Sequence, residues 1–377
     1  MEAKILSILG TRPEVIKLAP VIRAVEAHPQ LQSVVCATAQ HREMLDLALD
    51  VFGIQPDVDL DLMQPGQQLA DLTARVVQSV TGTLREVQPN FLLVQGDTTT
   101  AMAAAMAAFY EQIPVGHVEA GLRTGDLRNP FPEEMNRRVI ATLATLHFAP
   151  TAGARAALLH EGVLDSTIFV TGNTVIDALQ QTVASEPDYV PAPGRRILVT
   201  AHRRESFGPG FEALCLGLRI VALRNPDIVL LYPVHLNPQV REPVTRLLGG
   251  LPNVRLIDPM GYRDFVRAMQ DATLIITDSG GVQEEAPSLG KPVLVMRDTT
   301  ERPEGVEAGA ALLVGTDPWR IMEECERLLH DRAAYARMAS VDNPFGDGHA
   351  GGRIANAVAY WLGGDPAEIG LGEIRSA

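Results

Sequence analysis

The fold is decided by FLLVQGDTTTAMAAAMAAFYEQIPVGHVEA, residues 91–120. Phe91–Val94 and Pro114–Val118 are apolar segments of strand length, and the alanine- and methionine-rich stretch between them predicts a helix. A strand, a helix and a second strand in this order are typical of a parallel βαβ unit. The segment therefore predicts a parallel sheet with helices packed against it.

The same alternation runs through both halves of the chain. Asp71–Val87 has apolar residues at steps of three and four, which indicates an amphipathic helix. Glu186–Gly194 contains three prolines and ends on a glycine, so it is the predicted linker between two domains. The length of 377 residues also favours two domains, because single cores stop growing at about 250–300 residues. The other predicted strands are Lys4–Leu9, Ser33–Thr38, Ile168–Val170, Ile197–Thr200, Ile228–Tyr232, Val254–Ile257, Leu274–Thr277, Val293–Met296 and Ala311–Val314.

The composition argues against several classes of protein. A net charge of −14 disfavours a nucleic-acid binder, which usually has a basic surface. The apolar runs are too short to cross a bilayer and the N-terminal residues lack a signal-peptide pattern, so we expect a cytoplasmic protein with no membrane partner. Cys36, Cys215 and Cys325 lack the spacing of a disulfide or zinc site. Asp57–Asp61 alternates with apolar residues as a half-exposed strand does, so we predict no metal site.

Acidic residues follow two of the predicted strands. Asp97 comes shortly after Phe91–Val94, Glu119 comes directly after Pro114–Val118, and Glu133 is a little further along the chain. Because the carboxyl ends of parallel strands meet at one edge of a sheet, we expect these carboxylates at one rim of the first domain. Asp97 also has a structural interpretation, since aspartate is a favoured N-cap of the helix that follows it.

Three segments are candidate anion sites. Gly10–Lys17 turns from a strand into a helix, with Arg12 at the helix start. His202 and Arg203 follow a strand of the second half, and guanidinium groups match phosphate oxygens. Asp278–Glu285 contains two glycines that allow backbone amides to approach a phosphate closely. The structural alternatives are an exposed arginine on a tight turn, a structural histidine and a glycine-rich turn capped by serine.

Six motifs occur in a fixed order along the chain: Gly10–Glu14, Gln40–Met44, Gly96–Thr100, His117–Gly125, His202–Phe207 and Asp278–Glu285. Together they closely resemble those of the bacterial non-hydrolysing UDP-N-acetylglucosamine 2-epimerases, and the resemblance runs from Gly10 to about Gly348. It implies an α/β fold of two Rossmann-like parallel-sheet domains facing a central cleft, similar to glycosyltransferase-B. Residues 1–171 with 356–377, which include a returning C-terminal helix, would form the first domain, and residues 172–355 the second, UDP-binding one.

The family's functional residues map onto matching positions of this chain. The resemblance implies four catalytic residues, Asp97, Glu119, Glu133 and His202. The positions that would contact the diphosphate, ribose, uracil or other parts of the substrate are Arg12, Lys17, Met260, Phe265, Ser279, Gly280, Gly281, Glu285 and Arg302. A second, regulatory nucleotide-sugar site would include Gln40, His41, Gln67, Arg203 and His235.

The implied reaction is reversible epimerisation at carbon 2 of UDP-N-acetylglucosamine, giving UDP-N-acetylmannosamine. UDP would leave and add back through a 2-acetamidoglucal intermediate, and no cofactor is implied. The substrate would also be an allosteric activator, and the resemblance implies a homodimer. The alternatives are a hydrolysing 2-epimerase that releases N-acetylmannosamine and UDP, a glycosyltransferase of the same fold, and a sugar-nucleotide sensor without turnover.

Two positions depart from the family's pattern. Ala201 is found where glycine is expected before the histidine, and Met260 where glutamine is familiar. If position 201 required a positive φ, alanine there would cost about 1 kcal/mol or more. Neither change removes a proposed reacting group.

Overall fold

The chain is described by a computed structural model over residues 2–38, 42–62, 66–202 and 207–363, with backbone alone for residues 42–44. It divides into two units, Met1–Gln180 with Phe345–Ala377 (unit 1) and Gln181–Pro344 (unit 2). Each unit is a parallel β-sheet with helices, as the sequence predicted.

Unit 1 is built on a seven-stranded parallel sheet. Its strands are β1 (Ala3–Leu9), β2 (Leu31–Ala37), β3 (Val58–Asp59), β4 (Phe91–Gln95), β5 (Val115–Val118), β6 (Leu146–Ala149) and β7 (Ile168–Val170). They lie in the order β3-β2-β1-β4-β5-β6-β7. Its helices are α1 (Arg12–Ala27), α2 (Arg42–Phe52), α3 (Leu69–Val87), α4 (Thr99–Tyr110), α5 (Glu133–Leu143), α6 (Ala152–His160), the first part of α7 (Thr174–Ala184), and, at the C-terminal end, α15 (Ala350–Trp361).

Unit 2 is built on a six-stranded parallel sheet. Its strands are β8 (Arg195–Thr200), β9 (Ile228–Pro233), β10 (Val254–Ile257), β11 (Leu274–Thr277), β12 (Val293–Val295) and β13 (Ala311–Leu313). They lie in the order β10-β9-β8-β11-β12-β13. Its helices are α8 (Pro209–Arg224), α9 (Pro238–Leu248), α10 (Tyr262–Asp271), α11 (Gly280–Glu285), α12 (Pro303–Glu307), α13 (Pro318–His330) and α14 (Arg332–Ala339).

Both sheets have the strand order of a Rossmann fold. In such a sheet the order reverses between the first and fourth strands, and ligands bind beyond the carboxyl ends of the strands at that point. In unit 1 the reversal lies between β1 and β4, which are followed by Gly10 and Asp97. In unit 2 it lies between β8 and β11, which are followed by His202 and Ser279. The topology therefore brings the predicted motifs to two reversal points, one in each unit.

Helix α4 is buried along most of its length because its side chains are small. Ala103, Ala104, Ala105, Ala107 and Ala108 have no solvent exposure. The helix packs against α3 and α5 and contacts β1, β4 and β5 of the sheet. This close packing, which larger side chains would prevent, fixes the position of α5 relative to the end of β4.

The strands predicted from the sequence are all present, with ends shifted by at most two residues. The half-exposed strand predicted in Asp57–Asp61 is β3. Strand β6 was not predicted. It has only four residues, one of them His147, and no glycine or proline separates it from α5, so neither periodicity marks it. It lies between β5 and β7 and joins the edge strand β7 to the rest of the sheet.

The division between the units differs from the predicted boundaries at 171/172 and 355/356. It falls after Gln180 and before Phe345. The backbone N–H of Asn173 donates to the carbonyl of Phe345 at 2.6 Å, and that of Gly351 donates to Asp177 at 2.8 Å. These bonds hold the start of α7 and the segment before α15 within unit 1. A Cβ on Gly351 would lie 2.7 Å from the carbonyl oxygen of Pro20, so glycine allows α15 to approach α1.

The cysteines, the helix lengths and the groups of potential metal ligands can each be compared with the features considered in the sequence. Cys36, Cys215 and Cys325 are buried free thiols, and burial raises the pKa of Cys36 and of Cys215 to about 12. Within the described ranges, no helix combines the length and apolar character needed to cross a membrane. In the same ranges, no group of three or more His, Cys, Asp or Glu side chains could bind a metal ion.

Candidate active site

Asp97 is not the N-cap of α4. The cap is Thr98, whose hydroxyl accepts the backbone N–H of Ala101 at 2.9 Å, so the structural interpretation of Asp97 is wrong. Instead, Asp97 Oδ2 accepts two N–H groups of Arg137, at 2.9 Å from Nε and 2.6 Å from Nη2. The Asp97 side chain is 29% exposed, so its carboxylate is bound to a cation yet accessible.

Glu119 follows β5 in an unusual backbone conformation. Its φ is +65°, and a non-glycine residue in this left-handed region costs about 1–2 kcal/mol. Three side chains donate to its carboxylate: Lys17 and Asn173 to Oε1, the latter at 3.1 Å, and Gln95 to Oε2. Glu119 is therefore a nearly buried, fully ordered carboxylate on a strained turn, as is typical of functional sites.

Glu133 is the first residue of α5, the helix that binds Asp97. Within the described part of the chain, its buried Oε2 atom has no hydrogen-bond partner. Asp97 and Glu133 are thus connected through one short helix, while Asp97 and Glu119 follow the adjacent strands β4 and β5. Unit 1 brings the three predicted carboxylates to the same rim of one sheet.

Two further buried groups shape this rim. His117 Nε2 lies 2.7 Å from the carbonyl of Gly96, and burial lowers the pKa of His117 to about 3. The ring is therefore neutral and donates to Gly96, which orders the turn before Asp97. Glu14 accepts the N–H of Gly10 at 2.9 Å and the hydroxyl of Thr98 at 2.6 Å, and burial raises its pKa. Glu14 thereby ties the turn after β1 to the turn after β4.

Arg12 and Lys17 lie on the first turns of α1. Arg12 is half-buried at the helix start, next to the proline at the first helical positions. Lys17 is one turn later and forms an ion pair with Glu119. The structure therefore places the predicted Lys17 beside a predicted catalytic carboxylate.

In unit 2, His202 follows β8 and is tied to β11. Its backbone N–H donates to Asp278 Oδ2 at 2.7 Å, and its Nδ1 lies 3.6 Å from Asp278 Oδ1. Asp278 is fully buried, whereas the His202 ring is nearly half exposed and stacks on His235, with ring centres 5.5 Å apart. The ring is thus presented to solvent from a fixed backbone position.

The glycine turn after β11 has a buried arginine packed against it. A Cβ on Gly280 would lie 2.7 Å from the guanidinium carbon of Arg302, so only glycine fits there. Arg302 donates to Glu284 at 2.9 Å and to Glu301 at 2.7 Å. Ser279 is the N-cap residue of α11, but its side chain makes no capping bond. The fold therefore brings the guanidinium of Arg302, which follows β12, against the backbone of the glycine turn that follows β11.

The remaining predicted substrate contacts lie nearby in the sequence of unit 2. Glu285 accepts the hydroxyl of Tyr262 at 2.7 Å, and burial raises the pKa of Tyr262, so this phenol stays neutral and donates. Phe265 lies on α10 and Met260 follows β10, and both are half-buried. Gly281 has room for a Cβ, which would meet Glu285 Oε2 at 3.7 Å, an ordinary van der Waals distance.

Ala201 is not strained. The non-glycine residues with positive φ in the described ranges are Asp61, Gln88, Gln112 and Glu119, so Ala201 adopts an ordinary conformation. Its carbonyl accepts the hydroxyl of Tyr232 at 2.8 Å. The departure from glycine at this position carries no conformational cost.

The predicted regulatory residues are only partly within the described chain. Gln40, His41 and Arg203 lie outside the described residues. Gln67 accepts a hydrogen bond from Arg75 of α3, and His235 stacks on His202.

The residues that bind the predicted site side chains were not predicted from the sequence. Arg137 and Asn173 bind Asp97 and Glu119 from 40 and 54 residues further along the chain. Glu284 lies inside a recognised motif but was not assigned as the partner of Arg302. Glu284 could have been found from its place beside Glu285 and Arg137 from its place one helical turn after Glu133, whereas no local pattern marks Asn173.

Comparison with known proteins agrees with this arrangement. A family model described as UDP-N-acetylglucosamine 2-epimerase matches residues 23–359. The UDP-N-acetylglucosamine 2-epimerase of Escherichia coli (strain K12) is 55% identical over 368 residues, covering 94% of this chain and 98% of that protein.

Solved structures are similar to this chain over nearly its full length. The UDP-GlcNAc 2-epimerase from Neisseria meningitidis bound to UDP-GlcNAc superposes with a TM-score of 0.90 at 46% identity, over 95% of this chain and 100% of that one. The enzyme from Methanocaldococcus jannaschii in complex with UDP-GlcNAc and UDP gives a TM-score of 0.80 at 32% identity, over 95% and 99% of the two chains. The motifs, the two sheets and these similarities agree, and the chain belongs to the UDP-N-acetylglucosamine 2-epimerase family.

Proposed function

We propose that this protein interconverts UDP-N-acetylglucosamine and UDP-N-acetylmannosamine by elimination and re-addition of UDP. The family assignment supports the reaction class. The observation that carries the mechanism is the placement of Asp97, Glu119 and Glu133 at one rim of unit 1, on adjacent strands and the helix bound to them.

In this reaction UDP must leave carbon 1 before a base can remove the proton from carbon 2. Carbon 2 has no neighbouring carbonyl, so direct removal of its proton would leave an unstabilised carbanion. When the bond between carbon 1 and the diphosphate oxygen breaks, UDP takes the electron pair and the cationic centre acidifies the proton on carbon 2. A carboxylate removes that proton and a double bond forms between carbons 1 and 2. Re-addition of UDP to carbon 1, with protonation of carbon 2 from the other face, completes the inversion.

The carboxylates of unit 1 suit this sequence of steps. One removes a proton and another returns one to the opposite face, which requires acidic groups on different elements. Asp97 follows β4, Glu119 follows β5, and Glu133 begins α5. The carboxylates bound to Arg137 and Lys17 also supply fixed negative charge for the cationic centre.

Unit 2 supplies groups for the leaving diphosphate and nucleoside. The proposal assigns the diphosphate to His202 and Ser279–Gly281 together with Arg12, and names Lys17 and Arg302 as further substrate contacts. Glu285, oriented by Tyr262, would accept the ribose hydroxyls, and Phe265 with Met260 would lie beside the uracil. None of these roles requires a redox cofactor.

Proton NMR in deuterium oxide tests the proposal. Purified protein incubated with UDP-N-acetylglucosamine should form UDP-N-acetylmannosamine, with deuterium at carbon 2 of both sugars. Free N-acetylmannosamine as the main product would identify the hydrolysing reaction instead. Epimerisation without deuterium uptake would contradict the proton chemistry, and an unchanged substrate would favour the sensor or a transferase awaiting its acceptor.

The proposal extends to regulation and assembly. A second substrate molecule would activate turnover at the site that includes Gln67 and His235, and the protein would act as a cytoplasmic homodimer. Sigmoidal dependence of rate on UDP-N-acetylglucosamine, abolished in a His235→Ala variant that retains UDP binding, would support the activation. Sedimentation would measure the assembly, and a monomer at assay concentration would contradict the dimer.

A further inference from the structure

Arg137 lies between two carboxylates, one of which is exposed and one buried. Its Nε and Nη2 atoms lie 2.9 and 2.6 Å from Asp97 Oδ2, and its Nη1 donates to Glu134 Oε2 at 3.2 Å. The Arg137 side chain is only 7% exposed. A guanidinium that pairs with a carboxylate through several N–H groups fixes the orientation of the carboxylate as well as compensating its charge, because its donors lie in one rigid plane.

The arrangement leaves one oxygen of Asp97 unused. Both Arg137 bonds go to Oδ2, and no residue in the described part of the chain donates to Oδ1. The backbone carbonyl of Asp97 also accepts the side-chain amide of Asn136 at 2.8 Å. Two consecutive residues of α5 therefore hold the backbone and one side-chain oxygen of Asp97, while the second oxygen stays available.

Glu134 fixes Arg137 in turn. It is fully buried, and besides Arg137 it accepts the backbone N–H of Thr124 at 3.1 Å and of Gly125 at 3.4 Å. These donors come from the loop that follows Glu119, so Glu134 cannot shift without breaking several bonds. A buried carboxylate without its partner is costly, which favours a single position for the guanidinium.

We propose that Arg137 is the positioning residue for Asp97 in epimerisation, and that Glu134 orients Arg137. This inference rests on the proposed function. Arg137 does not touch the reacting atoms. It keeps Asp97 in one rotamer and fixes it relative to Glu133, which begins the same helix. Misplacing a reacting group by about 1 Å can lower a rate about 100-fold, so loss of Arg137 should act on turnover rather than on binding.

The test compares three variants in the carbon-2 exchange assay, with UDP affinity measured by calorimetry. Arg137→Gln should lower kcat at least about 100-fold while KM and UDP affinity change less than about threefold. Arg137→Lys keeps the charge but not the rigid plane, and its kcat should be about tenfold higher than that of Arg137→Gln. The matched control is Arg123→Gln, because Arg123 is also nearly buried, at 10% exposure, and pairs with Glu161 at 2.7 Å. It should keep kcat within about threefold.

The outcomes separate this inference from the proposed function. Inactive wild-type protein would overturn both. An active wild type with Arg137→Gln within threefold of its kcat would overturn the positioning role alone. Equal losses in Arg137→Gln and Arg123→Gln, accompanied by equal losses of thermal stability, would show that Arg137 only supports folding and would also overturn the role.

Discussion

The two units hold their predicted site residues in position in different ways. In unit 1 a functional carboxylate, Glu119, receives donors from three separate elements: Lys17 on α1, Gln95 on β4 and Asn173 before α7. In unit 2 the predicted groups are the backbone N–H groups of a glycine turn, the ring of His202, and the guanidinium of Arg302, which is bound to Glu284 and Glu301. The feature compared is therefore a carboxylate held by several side-chain donors in unit 1 and a backbone turn with a bound guanidinium in unit 2.

Under the proposed function, the two ends of the substrate would have different requirements. Proton transfer depends on the position and charge of a few atoms, so those atoms must be held by several elements that cannot move independently. A diphosphate is large and highly charged, and short glycine turns with arginines suffice to bind it. Substitutions in unit 1 should therefore change kcat, and substitutions in unit 2 should change affinity.

The largest effect is expected for Glu119→Gln. The variant keeps the shape of the side chain but removes the charge that pairs with Lys17, and it cannot accept or return a proton in the same way. We expect kcat to fall about 1,000-fold or more with UDP affinity nearly unchanged, measured by coupled kinetics and calorimetry. Glu111→Gln, which removes a surface pair with Arg85, is the control and should leave both values unchanged. A large loss of UDP affinity in Glu119→Gln would contradict the separation of roles.

The next largest effect is expected at Gly280. A Cβ at this position would lie 2.7 Å from the Arg302 guanidinium carbon, so Gly280→Ala should displace the arginine and lower UDP affinity about tenfold to 100-fold. Gly281→Ala is the comparator, because its Cβ would meet only Glu285 Oε2 at 3.7 Å. Gly281→Ala should lower UDP affinity by less than about threefold. Equal losses in the two variants would show that Arg302 does not contribute to the site.

A third prediction concerns the free energy of unfolding of the protein at acid pH, which depends on His147 of unit 1. Burial lowers the pKa of His147 to about 4, below its value in an unfolded chain, so its contribution to stability is present above about pH 6.5 and is lost as the pH falls toward 4. Between pH 7 and 5 that loss is about 2 kcal/mol. Urea unfolding of His147→Gln at both pH values should therefore show a decline about 2 kcal/mol smaller than wild type. An equal decline in the two proteins would exclude a buried neutral His147.

The smallest effect is expected for Tyr262→Phe. The change removes the hydroxyl that donates to Glu285 at 2.7 Å and leaves that buried carboxylate with one donor fewer. UDP affinity should fall about threefold, the free energy of unfolding should fall by about 1 kcal/mol, and kcat should stay the same. A drop in kcat with unchanged UDP affinity would contradict the expectation that substitutions in unit 2 change affinity and not turnover.

The fold was predictable because its signals are local. Apolar strands, amphipathic helices and glycine turns each appear within a few residues of sequence, and both sheets follow from them. Strand β6 is the exception, since His147 interrupts its apolar pattern and no turn residue marks its start. Once the strand order is known, the position of Asp97 and Ser279 at the two reversal points follows as well.

The finer organisation of the site was not predictable because it depends on distant partners. Thr98 and Asp97 are both favoured N-cap residues, but Thr98 caps α4 while Asp97 is bound by Arg137, 40 residues away. The positive φ of Glu119 is likewise not marked by any glycine, and the donors that stabilise it lie on three other elements. Sequence patterns identify the candidate residues, whereas tertiary packing decides which atoms remain available for chemistry.

Positional isotope exchange tests the central claim, elimination and re-addition of UDP, most directly. UDP-N-acetylglucosamine carrying oxygen-18 in the bridge between carbon 1 and the β-phosphorus is incubated with the protein, and the label is followed by phosphorus NMR. If the bond to carbon 1 breaks reversibly, the β-phosphate can return through a different oxygen. The label should then move to non-bridging positions at a rate similar to that of epimerisation. Epimerised product that retains all of its label in the bridge would contradict the account.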